Sequence, residues 1–282
     1  MVRIVMDSAG DLPPEWVTDY DIDVIPINIL FGNRSYQQGI DISDEDFYLL
    51  ADGKGVVPKT SQPSPQQFID FYKRIAQLGD TILSLHISSK LSGTFESAVI
   101  AARELKDQLH IIPFDSGCGS AALGYICREA RIMERAGASV QTIMDRLDFI
   151  RRNVTIILTL DTLEYALKSG RVKALQAALV SLLNVKPIIV LRDGALDMAD
   201  MVRTRRRALD RLVDSIRQRV GERLVNVAVV HARDIESAQT LLEVVRKTLN
   251  CREIVMTNLS VSVAANLGPG TVGIVAYPVE EG

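Results

Sequence analysis

Twice in the first half of the chain a short apolar run ends in a Ser/Gly-rich turn and then opens into a helical pattern. Residues 81–87 lead into Ser88-Ser89-Lys90-Leu91-Ser92-Gly93-Thr94, and residues 110–115 lead into Ser116-Gly117-Cys118-Gly119-Ser120. This strand–turn–helix unit builds a parallel sheet, and ligands of such sheets sit beyond the carboxyl ends of the strands. A third hydroxyl-bearing segment, Lys59-Thr60-Ser61-Gln62-Pro63-Ser64, is read as another loop leading to a helix. Helix N-termini carry unpaired N–H groups and the positive end of the helix dipole, so small-residue loops there suit a small anion.

The rest of the pattern is α/β. Strands are expected over 3–8 and 24–31, and helices over 119–136 and 139–151. Ser64, Pro65 and Gln67 form a capping-box signature that starts a helix over 65–78. Beyond residue 154 a strand at 155–160, a short helix over 162–168 stopped by Gly170, and a helix over 171–183 are expected. An Asp193-Gly194 turn predicts a hairpin of 186–191 with 196–202. Helix 204–220, strand 224–231, helix 237–249 and strands 253–259 and 272–277 complete the reading. The fold class is thus α/β in two domains. Residues 1–153 form a largely parallel sheet with flanking helices and the anion-binding loops, and 154–282 a mixed or antiparallel sheet with helices.

Composition narrows the function. Aromatics are 5% of a chain that is 47% hydrophobic, so the core is mainly aliphatic. A net charge of -3 gives no general attraction to nucleic acid. Three cysteines without metal-ligand spacing fit a reducing compartment, and no apolar stretch is long enough to span a bilayer. A cytoplasmic protein with no integral membrane segment is expected. Gly117-Cys118-Gly119-Ser120-Ala121-Ala122 has the spacing of a dinucleotide fingerprint but lacks a following strand with a ribose-binding acid, so a tight turn is preferred. Asp7 and Asp11 read as loop caps. His86, His110 and His231 form no metal pair, and no G-x-S-x-G elbow occurs.

The order of segments resembles the DegV family of bacterial fatty-acid-binding proteins. The resemblance is carried by Asp7-Ser8-Ala9-Gly10-Asp11-Leu12, Thr60-Ser61-Gln62-Pro63-Ser64, Ile87-Ser88-Ser89-Lys90-Leu91-Ser92-Gly93-Thr94, Asp115-Ser116, Ser169-Gly170-Arg171-Val172, Lys186-Pro187-Ile188, Asp193-Gly194, Arg203-Thr204 and Gly268-Pro269-Gly270. It implies one buried long-chain fatty acid, palmitate- or oleate-like, as ligand, with no cofactor, no metal and no catalytic machinery. The second domain would complete the lipid pocket. The acid's carboxylate would be held by Thr60 and Ser92, with Ser61, Gly93, Thr94 and Asn266 around it. Some members present the acid to the ATP-binding subunit of a fatty acid kinase, which forms an acyl phosphate used in phospholipid precursor metabolism. Arg171 and Arg203 would serve docking or phosphoryl transfer there. Asn266 stands where the family often has histidine; an amide donates a hydrogen bond but carries no proton charge at neutral pH. The alternative is an enzyme acting on a phosphorylated or nucleotide substrate through the same loops.

Overall fold

The computed structural model describes residues 1–54, 57–173 and 185–279. The chain divides into two compact units, Met1–Arg151 with Ser260–Ser262, and Arg152–Leu259 with Val263–Gly282.

The first unit begins with β1 (Val2–Asp7), α1 (Pro14–Asp19), β2 (Ile22–Ile25), β3 (Asn28–Phe31), β4 (Arg34–Gln37), α2 (Asp44–Lys54) and β5 (Lys59–Ser61). It continues through α3 (Pro65–Ile75), β6 (Thr81–His86), α4 (Thr94–Glu104), β7 (His110–Asp115), α5 (Ser120–Arg135) and α6 (Val140–Asn153). Four strands make a parallel sheet in the order β2-β1-β6-β7. A separate antiparallel sheet has the order β4-β3-β5.

The single strand expected over 24–31 is two strands in different sheets. Pro26 separates them; it has no N–H to give to a ladder. Ser8 Oγ accepts the N–H of Ile27 at 2.9 Å, and Ile25 O accepts the N–H of Ser8 at 3.0 Å, so the chain is turned from one sheet to the other by bonds from β1's loop. The segment 59–61 is likewise a strand, not a loop: Thr60 lies opposite Ile29 at the edge of the small sheet.

The capping box forms as read. Ser64 Oγ accepts from the Gln67 N–H at 3.2 Å, and Gln67 Oε1 accepts from the Ser64 N–H at 2.8 Å. Helix α3 then buries Phe68, Phe71 and Tyr72. These pack with Val5, Ile25 and Ile82 from the sheet and Ala98 and Ala101 from α4. The alanines let α4 approach closely, while each buried aromatic ring contributes about 2–3 kcal/mol.

The second unit contains β8 (Thr155–Thr159), α7 (Glu164–Ser169), β9 (Val172–Lys173), β10 (Lys186–Arg192), β11 (Ala195–Val202), α8 (Arg205–Val220), β12 (Val225–His231), α9 (Ile235–Thr248), β13 (Cys251–Asn258), α10 (Val261–Leu267) and β14 (Val272–Pro278). Helix α10 starts in the Ser260–Ser262 stretch that belongs to the first unit. One mixed sheet has the order β13-β12-β14-β8-β10-β11-β9. Alternate residues of β12 and β14 (Val225, Val227, Val229; Val272, Ile274, Ala276) pack against Ala208, Leu212 and Ile216 of α8 and Ala238, Leu241 and Val245 of α9. The two periods, 2 and 3.6, mesh at that layer. The hairpin β10–β11 turns through Asp193 and Gly194 at φ 48 and 79, the left-handed pair a tight two-residue turn requires.

The helix expected over 171–183 is corrected at its start, because Val172–Lys173 pair as a strand with β11; residues 174–184 lie outside the described residues. The expected stop at Gly170 holds, with φ 68 ending α7. Among the described residues no helix is long and apolar enough to cross a membrane.

Candidate functional site

The carboxyl ends of β1, β6 and β7 converge on a loop cluster whose polar groups are largely satisfied from within. Asp7 is fully buried at the end of β1. Its Oδ1 accepts the N–H of Ala9 at 3.0 Å and its Oδ2 the N–H of Ile87 at 2.8 Å. The expected loop-cap role of Asp7 is therefore seen, with a second bond to the β6 loop.

From Asp7 a buried polar chain runs inward. Asp7 Oδ2 lies 3.1 Å from His86 Nδ1, His86 Nε2 lies 2.7 Å from Ser84 Oγ, and Ser84 Oγ lies 2.7 Å from Tyr72 OH. The carboxylate–imidazole–hydroxyl order matches that of a nucleophilic triad. Yet Ser84 and His86 are both 0% exposed, so no substrate reaches the hydroxyl. The chain satisfies polar groups inside the sheet rather than activating a nucleophile.

The turn with dinucleotide-like spacing is closed by its own bonds. The N–H of Gly117 donates to Asp115 Oδ1 at 2.9 Å, that of Cys118 to Ser116 Oγ at 3.2 Å, and that of Ser120 to Ala9 O at 2.7 Å. These donors are the type a pyrophosphate would need. Ser89 completes the lock, giving its N–H and hydroxyl to Asp115 at 3.2 and 2.6 Å. Ser116 is thus a structural residue of the turn. Burial pushes the Cys118 thiol up to about 12, and Cys127 is raised still more firmly by the same cause, so neither is a reactive thiolate.

The other hydroxyl-bearing segments differ from that turn. Gly93, at φ -77 and ψ 12, occupies the cap position of α4 and has no side chain to cap it. Ser92 does not serve as the cap; its Oγ lies 2.9 Å from Thr94 Oγ1. The β5 segment comes against this turn through Gln62, whose carboxamide lies on the α carbon of Gly93. Thr60, Ser61, Ser92, Gly93 and Thr94 all belong to the first unit, and the structure brings the two segments together through Gln62 and Gly93. Sequence reasoning passes over Gln62; its one signal is its place between Ser61 and the cap.

Asn266, Arg171 and Arg203 belong to the second unit. Asn266 lies in the last turn of α10, before Gly268-Pro269-Gly270, where Gly268 and Gly270 have φ 88 and 77. Arg171 Nη1 donates to Ser169 O at 2.6 Å, so the guanidinium meets the carbonyl end of α7. Arg203 is exposed between β11 and the Thr204 cap of α8. Arg205 is an ion-pair residue: it bonds Asp234 and gives Nη2 to Gly270 O at 2.8 Å. His231 is nearly buried at the end of β12, and burial holds its pKa below the usual value. No group of His, Cys, Asp and Glu suited to a metal ion occurs among the described residues.

Residues 1–279 match the model of the DegV family, described as uncharacterised proteins. A DegV domain-containing protein of Deinococcus radiodurans is 31% identical over 282 residues, covering 99% of both chains. One from Halalkalibacterium halodurans is 29% identical over 278 residues, covering 98% of both. Among solved structures, a DegV family protein of Thermus thermophilus described as fatty-acid-binding superposes with a TM-score of 0.89 at 28% identity, covering 99% of both chains. A DegV lipid-binding protein of Thermotoga maritima gives 0.87 at 29% identity, again over 99% of both. A stearic-acid-binding protein of Eubacterium ventriosum gives 0.89 at 25%, covering 99% of this chain and 98% of that one. Family model, relatives and superposed structures agree over almost the full length, and the chain belongs to the DegV family.

Proposed function

We propose that this protein buries one long-chain fatty acid and presents its carboxylate, with Thr60 and Ser92 as the principal head-group donors. The observation that carries the reading is the near-complete superposition on relatives described as binding fatty acids. The β5 segment and the α4 turn support it: the carboxamide of Gln62, next after Ser61, lies on Gly93 between Ser92 and Thr94, beside a helix start that has no side-chain cap. Ser61, Gly93 and Thr94 border the same place. Residues 1–153 supply the carboxylate loops.

Hydroxyl donors hold a carboxylate at roughly 1.5–3 kcal/mol each and leave it neutral partners only. The tail supplies most of the affinity, since each buried methylene contributes about 0.8 kcal/mol before ordering costs. Such a division suits an acid that must be handed on. The recipient is the ATP-binding subunit of a fatty acid kinase, which phosphorylates the displayed carboxylate for phospholipid precursor metabolism; Arg171 and Arg203 serve that encounter. The protein acts as a cytoplasmic carrier with no catalysis or cofactor of its own. Denaturing extraction of the purified protein followed by mass spectrometry tests the reading. Stoichiometric long-chain fatty acid is expected; bound nucleotide without lipid would overturn it.

A further inference from the structure

Gln62 follows Thr60 and Ser61 at the end of β5 and precedes Pro63 and the Ser64 cap. Its backbone carbonyl accepts from Asn28 Nδ2 at 3.3 Å, which fixes the chain where the side chain departs. The carboxamide then lies on the α carbon of Gly93. A Cβ built on Gly93 would fall 2.5 Å from Gln62 Nε2, 3.0 Å from Cδ and 3.3 Å from Oε1. Gly93 is flanked by Ser92 and Thr94, whose hydroxyls bond each other at 2.9 Å.

The backbone of Gly93 does not explain its glycine. At φ -77 and ψ 12 any L-residue is accommodated. The space above the α carbon explains it, because that space holds the Gln62 amide. An exposed glutamine loses rotamer freedom when it is laid against a backbone in this way. The chain therefore lays a neutral donor on the glycine between Ser92 and Thr94. The mutual Ser92–Thr94 bond engages one hydroxyl proton of that pair, while a carboxylate offers about four acceptor sites. A further donor has acceptor sites to fill.

We propose that Gln62 is a further head-group ligand, its Nε2 donating to the carboxylate held by Thr60 and Ser92, and that Gly93 is glycine to admit it. The assignment rests on the fatty-acid reading above and specifies the site's selectivity: an acid head group, read by neutral donors only. Replacing the amide by a carboxylate of the same shape puts like charges together and removes the donor.

The test uses the delipidated full chain with two probes, hexadecanoic acid and the primary alcohol of the same length. Gln62→Glu is expected to weaken the acid by about tenfold or more at neutral pH and to leave the alcohol within about twofold. Gln62→Ala and Gly93→Ala are expected to weaken the acid to similar extents, and the double variant no further than either alone, because both remove the same amide. Equal losses for acid and alcohol would assign Gln62 a packing role and overturn the proposal, as would parent-like acid binding by Gln62→Glu. Failure of the parent protein to bind the acid would overturn the fatty-acid reading itself, and with it this assignment. Thermal melting of each variant identifies one that has not folded, and the remaining variants then decide.

Discussion

Asp11 Oδ1 accepts the backbone N–H of Ser260 at 2.9 Å, although the two residues are 249 positions apart in the chain. The other oxygen accepts Ser120 Oγ at 2.5 Å. Beside this bond, Ser262 gives its hydroxyl to Ser8 O at 3.0 Å and its N–H to Gln38 Oε1 at 3.2 Å. The Asp-Ser-Ala-Gly-Asp run that begins at the last residue of β1, together with Gln38, thus holds the Ser260–Ser262 stretch within the first unit. Asp11 bonds a late segment of the chain where a local loop cap was expected.

Asp11 makes stability depend on pH. Burial pushes its carboxyl from 3.8 to about 6, against the opposing pull of its bonds to Ser120 and Ser260. The folded chain therefore binds more protons than the unfolded chain between those values, and stability falls as pH rises from about 4 to about 6. The shift corresponds to about 3 kcal/mol. Asp11→Asn should remove this component, so the difference in Tm between parent and variant should change across that window in the variant's favour as pH rises. A pH-independent difference would contradict the assignment.

Thr60→Ala and Ser92→Ala should each weaken fatty-acid retention by roughly ten- to a hundredfold, the loss of one hydroxyl donor to a charged group. Both variants should melt close to the parent, because neither hydroxyl caps a helix. Displacement of a fluorescent fatty acid measures the first effect and calorimetry the second. Parent-like retention in both variants would remove these residues from the head-group site.

Ser84→Ala should destabilise the first unit. It leaves Tyr72 OH and His86 Nε2 without the hydroxyl they share in a fully buried setting. Each stranded group costs about 1–3 kcal/mol. A fall in the urea midpoint with the parent's affinity for ligand would fit a structural chain, whereas an unchanged midpoint would not.

Arg171→Ala and Arg203→Ala should keep the lipid and lose kinase-dependent phosphorylation of it. Arg171 bonds its own helix end through Ser169 O, and Arg203 is exposed, so the variants leave the core intact. Native mass spectrometry reports retained acid, and a coupled ATP assay reports phosphorylation. Full phosphorylation in both variants would remove these arginines from the encounter.

Local chemistry is the part of this fold that is legible in the sequence. The Ser64–Gln67 box, the Asp193-Gly194 turn and the Gly170 stop each depend on a few adjacent residues, and each forms as expected. The split at Pro26 is hidden because the N–H beyond it is taken by Ser8, a residue of another segment. Strand β5 looks like a loop because Lys59–Ser61 has no apolar alternation and pairs only at the edge of a small sheet. The helices at Pro14–Asp19 and Asp44–Lys54 were not expected; the former buries none of its residues fully, so its apolar face is weak. Gln62 is silent for a related reason. Its signal is the missing Cβ of Gly93, which becomes informative only when the two segments are adjacent in space.

Crystallisation of the protein with a long-chain fatty acid tests the head-group claim most directly. The expected result is density for one acyl chain buried in the protein, with its carboxylate within about 3.2 Å of the Thr60 and Ser92 hydroxyls. An acid bound elsewhere, or side chains filling the space behind those two residues so that no tail can enter, would contradict it.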